Sequence, residues 1–138
     1  MAFVGSDVLD VTYNNPVVGN GTLFCKAGEG SKIDLGGLRT EEDTNGVSGN
    51  GKPIFKKVMK RSNFELPPVA WDKTDKDELA KLSQLAASGV GSTWTVSFVD
   101  GSIYQMQEGY PVGDIAGEGS EGTIELVLQG AANASKIS

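Results

Sequence analysis

Two alternating segments that meet at Asp100-Gly101 constrain the fold of this chain more than any other feature of its sequence. Residues 92–107 alternate apolar and polar side chains on both sides of this dipeptide, which is typical of a two-residue type I′ hairpin turn. Such a turn pairs Phe98 with Ile103 and turns one face of the hairpin toward the core. The residues expected on that face are Trp94, Val96, Phe98 and Ile103.

A helix is predicted before this hairpin and a further strand after it. Residues 75–88 carry leucine and alanine at helical spacing, with Asp75 and Glu78 as a capping box and Gly89 as a left-handed residue past the end. Residues 122–129 alternate regularly, which indicates a half-buried strand. The side chains expected to face the core are Leu79, Leu82, Leu85 and Ala86 from the helix and Ile124, Leu126 and Leu128 from the strand.

The composition indicates one β-rich domain. A chain of 138 residues can bury one core but is short for two ordinary domains, and its 19 glycines favour turns over long helices. We therefore predict that residues 1–138 form a single domain of the α+β class that is mainly β. The elements expected in this domain are an antiparallel sheet, one α-helix that lies on it and a long polar loop.

The N-terminal half gives weaker strand signals. Residues 1–20 are expected to form an ordinary first strand or, as the alternative, an N-terminal arm that docks on a neighbouring subunit. Residues 22–35 contain two short apolar segments around a Gly-rich turn, which predicts a second hairpin. Residues 53–71 predict a bent strand, because Pro67 and Pro68 should stop regular pairing.

Residues 36–52 form a long polar segment with very few apolar side chains. Such a segment cannot bury enough surface to offset the cost of ordering it, so on its own it should be a mobile loop. Long loops in compact domains are usually functional or disordered, and two interpretations stay open: a loop that becomes ordered against another subunit, and an ordinary surface loop. The loop residues expected to make contacts are Arg39, Glu41, Glu42, Asp43, Asn45 and Asn50.

The charged residues argue against general affinity for nucleic acid. The net charge is −6, whereas binding to the DNA backbone requires clustered lysine and arginine. The main basic cluster is Lys56, Lys57, Lys60 and Arg61. A nucleic-acid patch is one interpretation of it, but a solvated face or half of a charge-complementary contact between subunits is more typical of such a cluster.

The residues that catalysis and metal binding require are scarce. There is no histidine, so the commonest general base and the usual zinc ligand are missing, and the single Cys25 cannot form an intrachain disulfide, which fits a reducing compartment. The acidic groups at residues 41–43 and 114–121 lack the register of an EF-hand loop. We therefore predict no enzyme activity, no cofactor, no metal and no membrane segment.

Four segments, taken with the order of the predicted elements, are typical of one protein family. They are Asp77-Glu-Leu-Ala-Lys-Leu-Ser-Gln-Leu-Ala86, Trp94-Thr-Val-Ser-Phe-Val-Asp-Gly-Ser-Ile-Tyr104, Gly122-Thr-Ile-Glu-Leu-Val-Leu-Gln-Gly130 and Gly49-Asn-Gly-Lys-Pro53. In these features the chain resembles bacteriophage tail tube proteins. The resemblance covers roughly residues 20 to 130 and is a pattern of element order and residue character, not a catalytic signature. Tube subunits of contractile injection particles and of type VI secretion share the fold of that family.

The resemblance implies a β-sandwich or partly closed antiparallel barrel with one flanking α-helix and a long polar loop. It also implies a structural subunit whose hexameric rings stack into a hollow tube with a continuous inner β-barrel. The polar loop at residues 36–52 would clamp the adjacent ring, and the basic cluster would help to fix the register of the contact. An acidic lumen would first hold the tape-measure protein and later pass DNA. The implied partners include sheath and baseplate or terminator proteins, and the implied location is the virion, assembled in the host cytoplasm. The candidate lumen-facing residues are Thr123, Glu125 and Gln129 or, as the alternative, Thr95 and Ser97.

A different class of protein also fits a small β-rich chain without catalytic residues. A monomeric ligand- or carbohydrate-binding β-sandwich would need aromatic side chains clustered on one exposed face. The candidates for such a cluster are Tyr13, Trp71, Trp94, Tyr104 and Tyr110.

Overall fold

The computed structural model describes residues 5–41 and 46–138, which form a mainly β structure with one α-helix, α1 (Glu78–Ala87). Every strand pair is antiparallel. This confirms the predicted mainly β class with a single helix in these residues. The strands are β1 (Val8–Asn15), β2 (Gly19–Phe24), β3 (Lys32–Asp34), β4 (Gly37–Thr40), β5 (Gly46–Val47), β6 (Pro53–Ile54), β7 (Lys57–Lys60), β8 (Asn63–Ala70), β9 (Ser92–Phe98), β10 (Ile103–Pro111), β11 (Gly117–Glu118), β12 (Thr123–Gln129) and β13 (Ser135–Lys136).

The main sheet has two halves that share strand β10. Its order is β2-β1-β9-β10-β12-β8-β3, with β11 on β12 and β13 on β10. The ladder between β10 and β9 shifts between Met106 and Gly109, where Glu108 has a φ of 50°, and the end of β10 pairs with β12. The sheet is not closed into a barrel. An isolated bridge between Cys25 and Val69 links the region after β2 to β8.

Both halves of the sheet direct apolar side chains into one core. The helix stripe and the alternating strand predicted from the sequence contribute as expected, since Leu82, Leu85, Ile124, Leu126 and Leu128 are buried. The other large buried side chains come from β1, β2, β8, β9 and β10 and are Val8, Val11, Tyr13, Leu23, Phe64, Leu66, Val69, Trp94, Val96 and Met106. The outer faces of the two halves therefore point away from a shared core.

The hairpin between β9 and β10 has a different register from the predicted one. Ile103 lies opposite Ser97 instead of Phe98, because the turn contains an additional residue and ends at Gly101, which has a φ of 94°. This geometry matches a three-residue turn with a glycine bulge. The shift brings Tyr104 to the core face in place of Ile103, where its ring packs edge-on against Phe98 at 5.8 Å between centroids.

The predicted capping box of the helix is wrong. The helix begins at Glu78, and Asp77 holds the N-cap position with a φ of 46° and no side-chain cap. The Asp77 carboxylate instead accepts a hydrogen bond from Trp71 Nε1 at 3.2 Å. The Glu78 carboxylate accepts one from the backbone N–H of Asp72 at 2.6 Å. These two acidic side chains thus tie the incoming chain to the helix start, which leaves Asp75 outside the helix.

The predicted left-handed end of the helix is also wrong. Ser88 is the C-cap residue with an extended backbone (φ −65°, ψ 142°), and Gly89 is not among the glycines with positive φ. The Ser88 hydroxyl donates to the carbonyl of Val90 at 3.0 Å and accepts from its N–H at 3.2 Å. A side-chain turn at Ser88 therefore replaces the expected glycine motif.

The N-terminal segment forms a sheet hairpin. β1 lies between β2 and β9, so residues 8–15 form a strand of the main sheet, while residues 1–4 lie outside the described residues. The Asn15 side-chain oxygen accepts the N–H groups of Val17 and Val18, at 2.8 and 2.9 Å, and so fixes the turn. The predicted hairpin within residues 22–35 is wrong, because β2 pairs with β1 and β3 pairs with β8.

Residues 53–71, predicted as a bent strand, contain strand β8 with two consecutive prolines. Strand β8 runs through Pro67 and Pro68, and its ladder with β12 shifts between Ile124 and Leu126 instead of ending. A bulge thus accommodates the missing N–H groups, as is usual for proline in a sheet.

In the ranges 5–41 and 46–138, no helix has the length and apolar character needed to cross a membrane.

Candidate functional site

Residues predicted as a polar loop form part of a β-ribbon. We use the term ribbon for strands β4 to β7 with their connections, of which residues 37–41 and 46–60 are described. β4 pairs only with β7, and β5 only with β6, so the ribbon is separate from the main sheet. The backbone N–H of Glu41 continues the pairing by donating to the carbonyl of Lys56 at 2.8 Å. The described residues of the segment 36–52 therefore contain strands β4 and β5, where the sequence predicted a polar loop. Contact of this segment with another subunit stays a prediction.

The tip of the ribbon is a compact turn. The Ser48 N–H donates to the carbonyl of Lys52, and the Gly51 N–H donates to the carbonyl of Ser48, both at 2.8 Å. The Ser48 hydroxyl also donates to the side-chain oxygen of Asn50. Asn50, one of the predicted contact residues, thus helps to shape the tip, while Glu42, Asp43 and Asn45 lie outside the described residues.

The ribbon carries exposed apolar side chains. Leu38 in β4 lies opposite Met59 in β7, and these side chains are 67% and 66% exposed. Farther along, Val47, Ile54 and Phe55 are also exposed. A two-stranded ribbon alone is marginally stable in water, and clustered exposed apolar side chains usually mark a contact surface. Sequence analysis missed this feature, because the apolar residues of the returning strand were not placed beside the polar segment.

The ribbon brings together the two sets of residues predicted to contact another subunit. Lys57 lies opposite Thr40 and donates a hydrogen bond from Nζ to its hydroxyl. Lys60 lies opposite Gly37, at the base of the ribbon. Arg61 follows β7, and its guanidinium donates to the side-chain oxygen of Gln129 at 3.4 Å. The basic cluster is therefore presented on the same ribbon as the exposed Leu38–Met59 pair.

Arg39 has a partner within its own chain. Its guanidinium donates two hydrogen bonds to the Asp34 carboxylate, one of them at 3.1 Å. Hydrogen bonding from Arg39, together with the Gly36 N–H, lowers the pKa of the Asp34 carboxyl below its ordinary value. This pair fixes the base of the ribbon to the end of β3. The role of Arg39 between subunits stays a prediction.

The candidate lumen-facing residues divide between two outer faces. Thr95 and Ser97 lie on the outer face of the half that contains β1, β2 and β9, and both are partly exposed. Thr123, Glu125 and Gln129 lie on the outer face of β12, in the other half. Because the inner faces of both halves meet in one core, the two sets point in different directions. A single wall can therefore contain one of these sets but not both.

Glu125 borders an acidic cleft beside β11 and β12. The cleft has a volume of about 570 Å³ and is open to solvent. Its acidic lining residues are Asp114, Glu118, Glu121 and Glu125. The hydroxyl and N–H of Ser120 donate to Glu118 and lower the pKa of its carboxyl. In the part of the chain that the structure describes, no group of three or more acidic or sulfur side chains is arranged to hold a metal ion.

The aromatic residues do not form an exposed platform in the described ranges. Trp94 and Tyr13 are buried and pack against each other at 5.7 Å between ring centroids. Trp71, Tyr104 and Tyr110 are partly buried. Lys73 Nζ lies 5.1 Å from the centre of the Trp71 ring and covers one of its faces. This arrangement does not favour a carbohydrate-binding face.

Comparison of the sequence with models of known protein families gives no match, and comparison with curated protein sequences gives none either.

Proposed function

We propose that this chain is the structural subunit of a bacteriophage tail tube. Its hexameric rings would stack into a hollow conduit that holds a tape-measure protein and later passes DNA into the host. The observation that carries this proposal is the ribbon, with the exposed Leu38–Met59 pair beside the basic cluster. A ribbon with this surface gains stability when it is covered, and a second copy of the chain is the partner that its charge favours.

Charge complementarity supports a second copy as the partner. Residues 53–61 contain the four basic residues of the cluster and no acidic residue, whereas the whole chain has a net charge of −6. The remainder of the molecule is therefore strongly acidic and attracts the ribbon of a neighbouring copy. Complementary surfaces of this kind steer association and fix register.

The type of contact also fits a ring or a tube. A ribbon that binds a different surface on the next copy makes a heterologous contact, which generates closed rings or open helical assemblies. The main sheet is open, and an open sheet edge is an aggregation liability unless it is covered or paired. Joining the sheets of neighbouring subunits into one barrel would remove these edges. A barrel that joins the sheets of neighbouring subunits is the arrangement that the resemblance to tail tube proteins implies.

A tube subunit of this kind also has defined partners and a defined location. The partners are other copies of the chain, the tape-measure protein, and sheath and baseplate or terminator proteins, and DNA passes without specific binding. The location is the virion, after assembly in the host cytoplasm. Tubes of contractile injection particles and secretion systems are the alternative within the same class. A monomeric ligand-binding β-sandwich is disfavoured by the buried positions of Trp94 and Tyr13.

Negative-stain electron microscopy of the purified chain, combined with light scattering over a concentration series, tests this function. We expect six-membered rings or hollow tubes whose amount grows with concentration. A chain that stays monomeric at every concentration, including after addition of preformed tube ends, would contradict the proposal. A glycan-binding screen on that monomer would then test the other class.

A further inference from the structure

The outer face of the first half of the main sheet is a continuous polar surface whose central rows carry no charge, and we call it the uncharged face. Strand register places one row of side chains across five strands, formed by Thr22, Thr12, Thr95, Gln105 and Ser135. A second row on the same face contains Asn20, Asn14 and Thr93. Gln107 extends this row, because its side-chain oxygen accepts a hydrogen bond from the Thr93 hydroxyl at 3.2 Å. Threonine and amide side chains therefore cover most of this face.

The lack of charge on this face is unusual for the chain. In the register that pairs β2, β1, β9 and β10, Asp10 is the charged residue on the face, and it lies in the border row between Phe24 and Ser97. The chain as a whole has 12 basic and 18 acidic residues. Solvated surfaces typically contain about a quarter to a third charged residues. A wide face with so few charges is thus not explained by solubility alone.

The outer face of the other half has the opposite character. Lys32 pairs with Glu65 across β3 and β8, and Glu125 borders the acidic cleft on β12. Arg61 reaches Gln129 at the end of the same strand. Charges of both signs on this face suit solvent or contacts with charged groups of another subunit.

We propose that the uncharged face centred on Thr95 lines the conduit and that the face containing Glu125 points away from it. This assignment rests on the proposed tube function and replaces the expected acidic lumen with a neutral polar one. A wall without lysine or arginine gains nothing from counterion release when DNA phosphates approach it, so it does not hold DNA. Because its carboxylate, Asp10, lies in the border row, the centre of the wall also repels neither a basic nor an acidic protein cargo. The hydroxyl and amide groups keep the wall hydrated.

Cysteine labelling with reagents of two sizes tests this assignment. The variants are Thr95→Cys on the uncharged face and Glu125→Cys as the matched position on the outer face of the other half. Each is treated, as dispersed chain and as assembled tubes, with N-ethylmaleimide or with a maleimide attached to a long polyethylene glycol chain. The unsubstituted chain measures the background from the partly buried Cys25.

We expect assembly to remove the reaction of Thr95→Cys with the large reagent while the reaction with N-ethylmaleimide continues. Glu125→Cys should react with both reagents in both states. Tubes in which Thr95→Cys still reacts with the large reagent, or in which Glu125→Cys is the protected position, overturn the assignment and leave the tube function standing. If neither variant nor the unsubstituted chain assembles, the tube function fails and the assignment fails with it.

Discussion

Leu38 and Met59 lie directly opposite each other across β4 and β7, and about two thirds of each side chain is exposed. Neither belongs to the buried core or to the partly buried side chains packed against it. Their burial would require another surface, and the proposed function assigns that surface to a second copy of the chain.

Leu38→Ser and Met59→Ser should each weaken assembly and leave the monomer fold unchanged. Because both side chains are exposed, the free energy of unfolding should change by less than about 0.5 kcal/mol. Sedimentation and light scattering measure assembly, and thermal unfolding measures stability. Val99→Ser is the matched control, since Val99 is 63% exposed at the β9–β10 turn. Normal tubes from the Leu38 and Met59 variants would exclude this pair from the contact.

The double charge reversal Lys57→Glu with Lys60→Glu should also weaken assembly. It replaces attraction by repulsion where the ribbon meets an acidic neighbour, and Lys57 also loses its hydrogen bond to Thr40. In the unsubstituted chain, assembly should weaken with added salt, because the Debye length falls from about 8 Å at 0.15 M to about 3 Å at 1 M. Tube length by electron microscopy is the readout. Lys81→Glu on the exposed side of α1 is the control, and an equal loss in that variant would indicate a general effect of net charge.

Three Gly→Ala variants should differ in their free energy of unfolding, with the largest loss at Gly91, a smaller loss at Gly101 and little change at Gly49. A Cβ at Gly91 would lie 2.7 Å from the backbone Cα of Glu108, so this variant should lose at least about 2 kcal/mol. Gly101 has open space but a φ of 94°, which should cost about 1 kcal/mol. Gly49 has neither constraint, and Gly49→Ala should have little effect. Urea unfolding gives the three values, and a different order would contradict the described turn and close approach.

Asn15→Ala should be among the most destabilising polar substitutions in the chain. The Asn15 side chain is 2% exposed and donates to Val90 O at 3.0 Å and Ser92 Oγ at 2.9 Å. Its oxygen also accepts two turn N–H groups, so the alanine variant leaves several polar groups unpaired. We expect a loss of about 3 kcal/mol in urea unfolding. Asn14→Ala, at the exposed neighbouring position, should change stability little, and equal losses would contradict this role.

Cys25 should react slowly with thiol reagents while the chain is folded. Burial, with a smaller effect of the Asp10 carboxylate, raises the pKa of the Cys25 thiol from 9.0 to about 12. A difference of this size lowers the thiolate fraction near neutral pH by about a thousandfold. Alkylation by iodoacetamide at pH 8 should therefore accelerate strongly when urea unfolds the chain. Equal rates in the folded and unfolded chain would show that the thiol is not shielded.

The same shift in the Cys25 pKa gives stability a pH dependence with a defined sign. The unfolded chain ionises its thiol near 9.0, before the folded chain does near 12. The contribution of this group to stability is therefore complete below pH 9 and is lost as pH rises from 9 toward 12. Urea midpoints measured across this range should fall less steeply in Cys25→Ser than in the unsubstituted chain.

Local sequence patterns determined the elements whose side-chain periodicity is strong. The spacing of Leu82 and Leu85 predicted the helix, and the alternation of Ile124, Leu126 and Leu128 predicted β12, because burial of one face imposes that periodicity directly on the sequence. The scarcity of catalytic residue types was also readable from composition, since it does not depend on how the chain folds.

Contacts between distant residues were decided only by the tertiary structure. The turn at Gly101 contains one residue more than its dipeptide predicts, and the shift exchanges Ile103 for Tyr104 on the core face. Strand β4, in the segment predicted as a polar loop, forms because β7 returns beside it and places Met59 opposite Leu38. Such pairings join strands that are far apart in the sequence, so local propensity does not predict them. The sequence by itself determined which segments could bury an apolar face, whereas the tertiary structure decided which faces stayed uncovered.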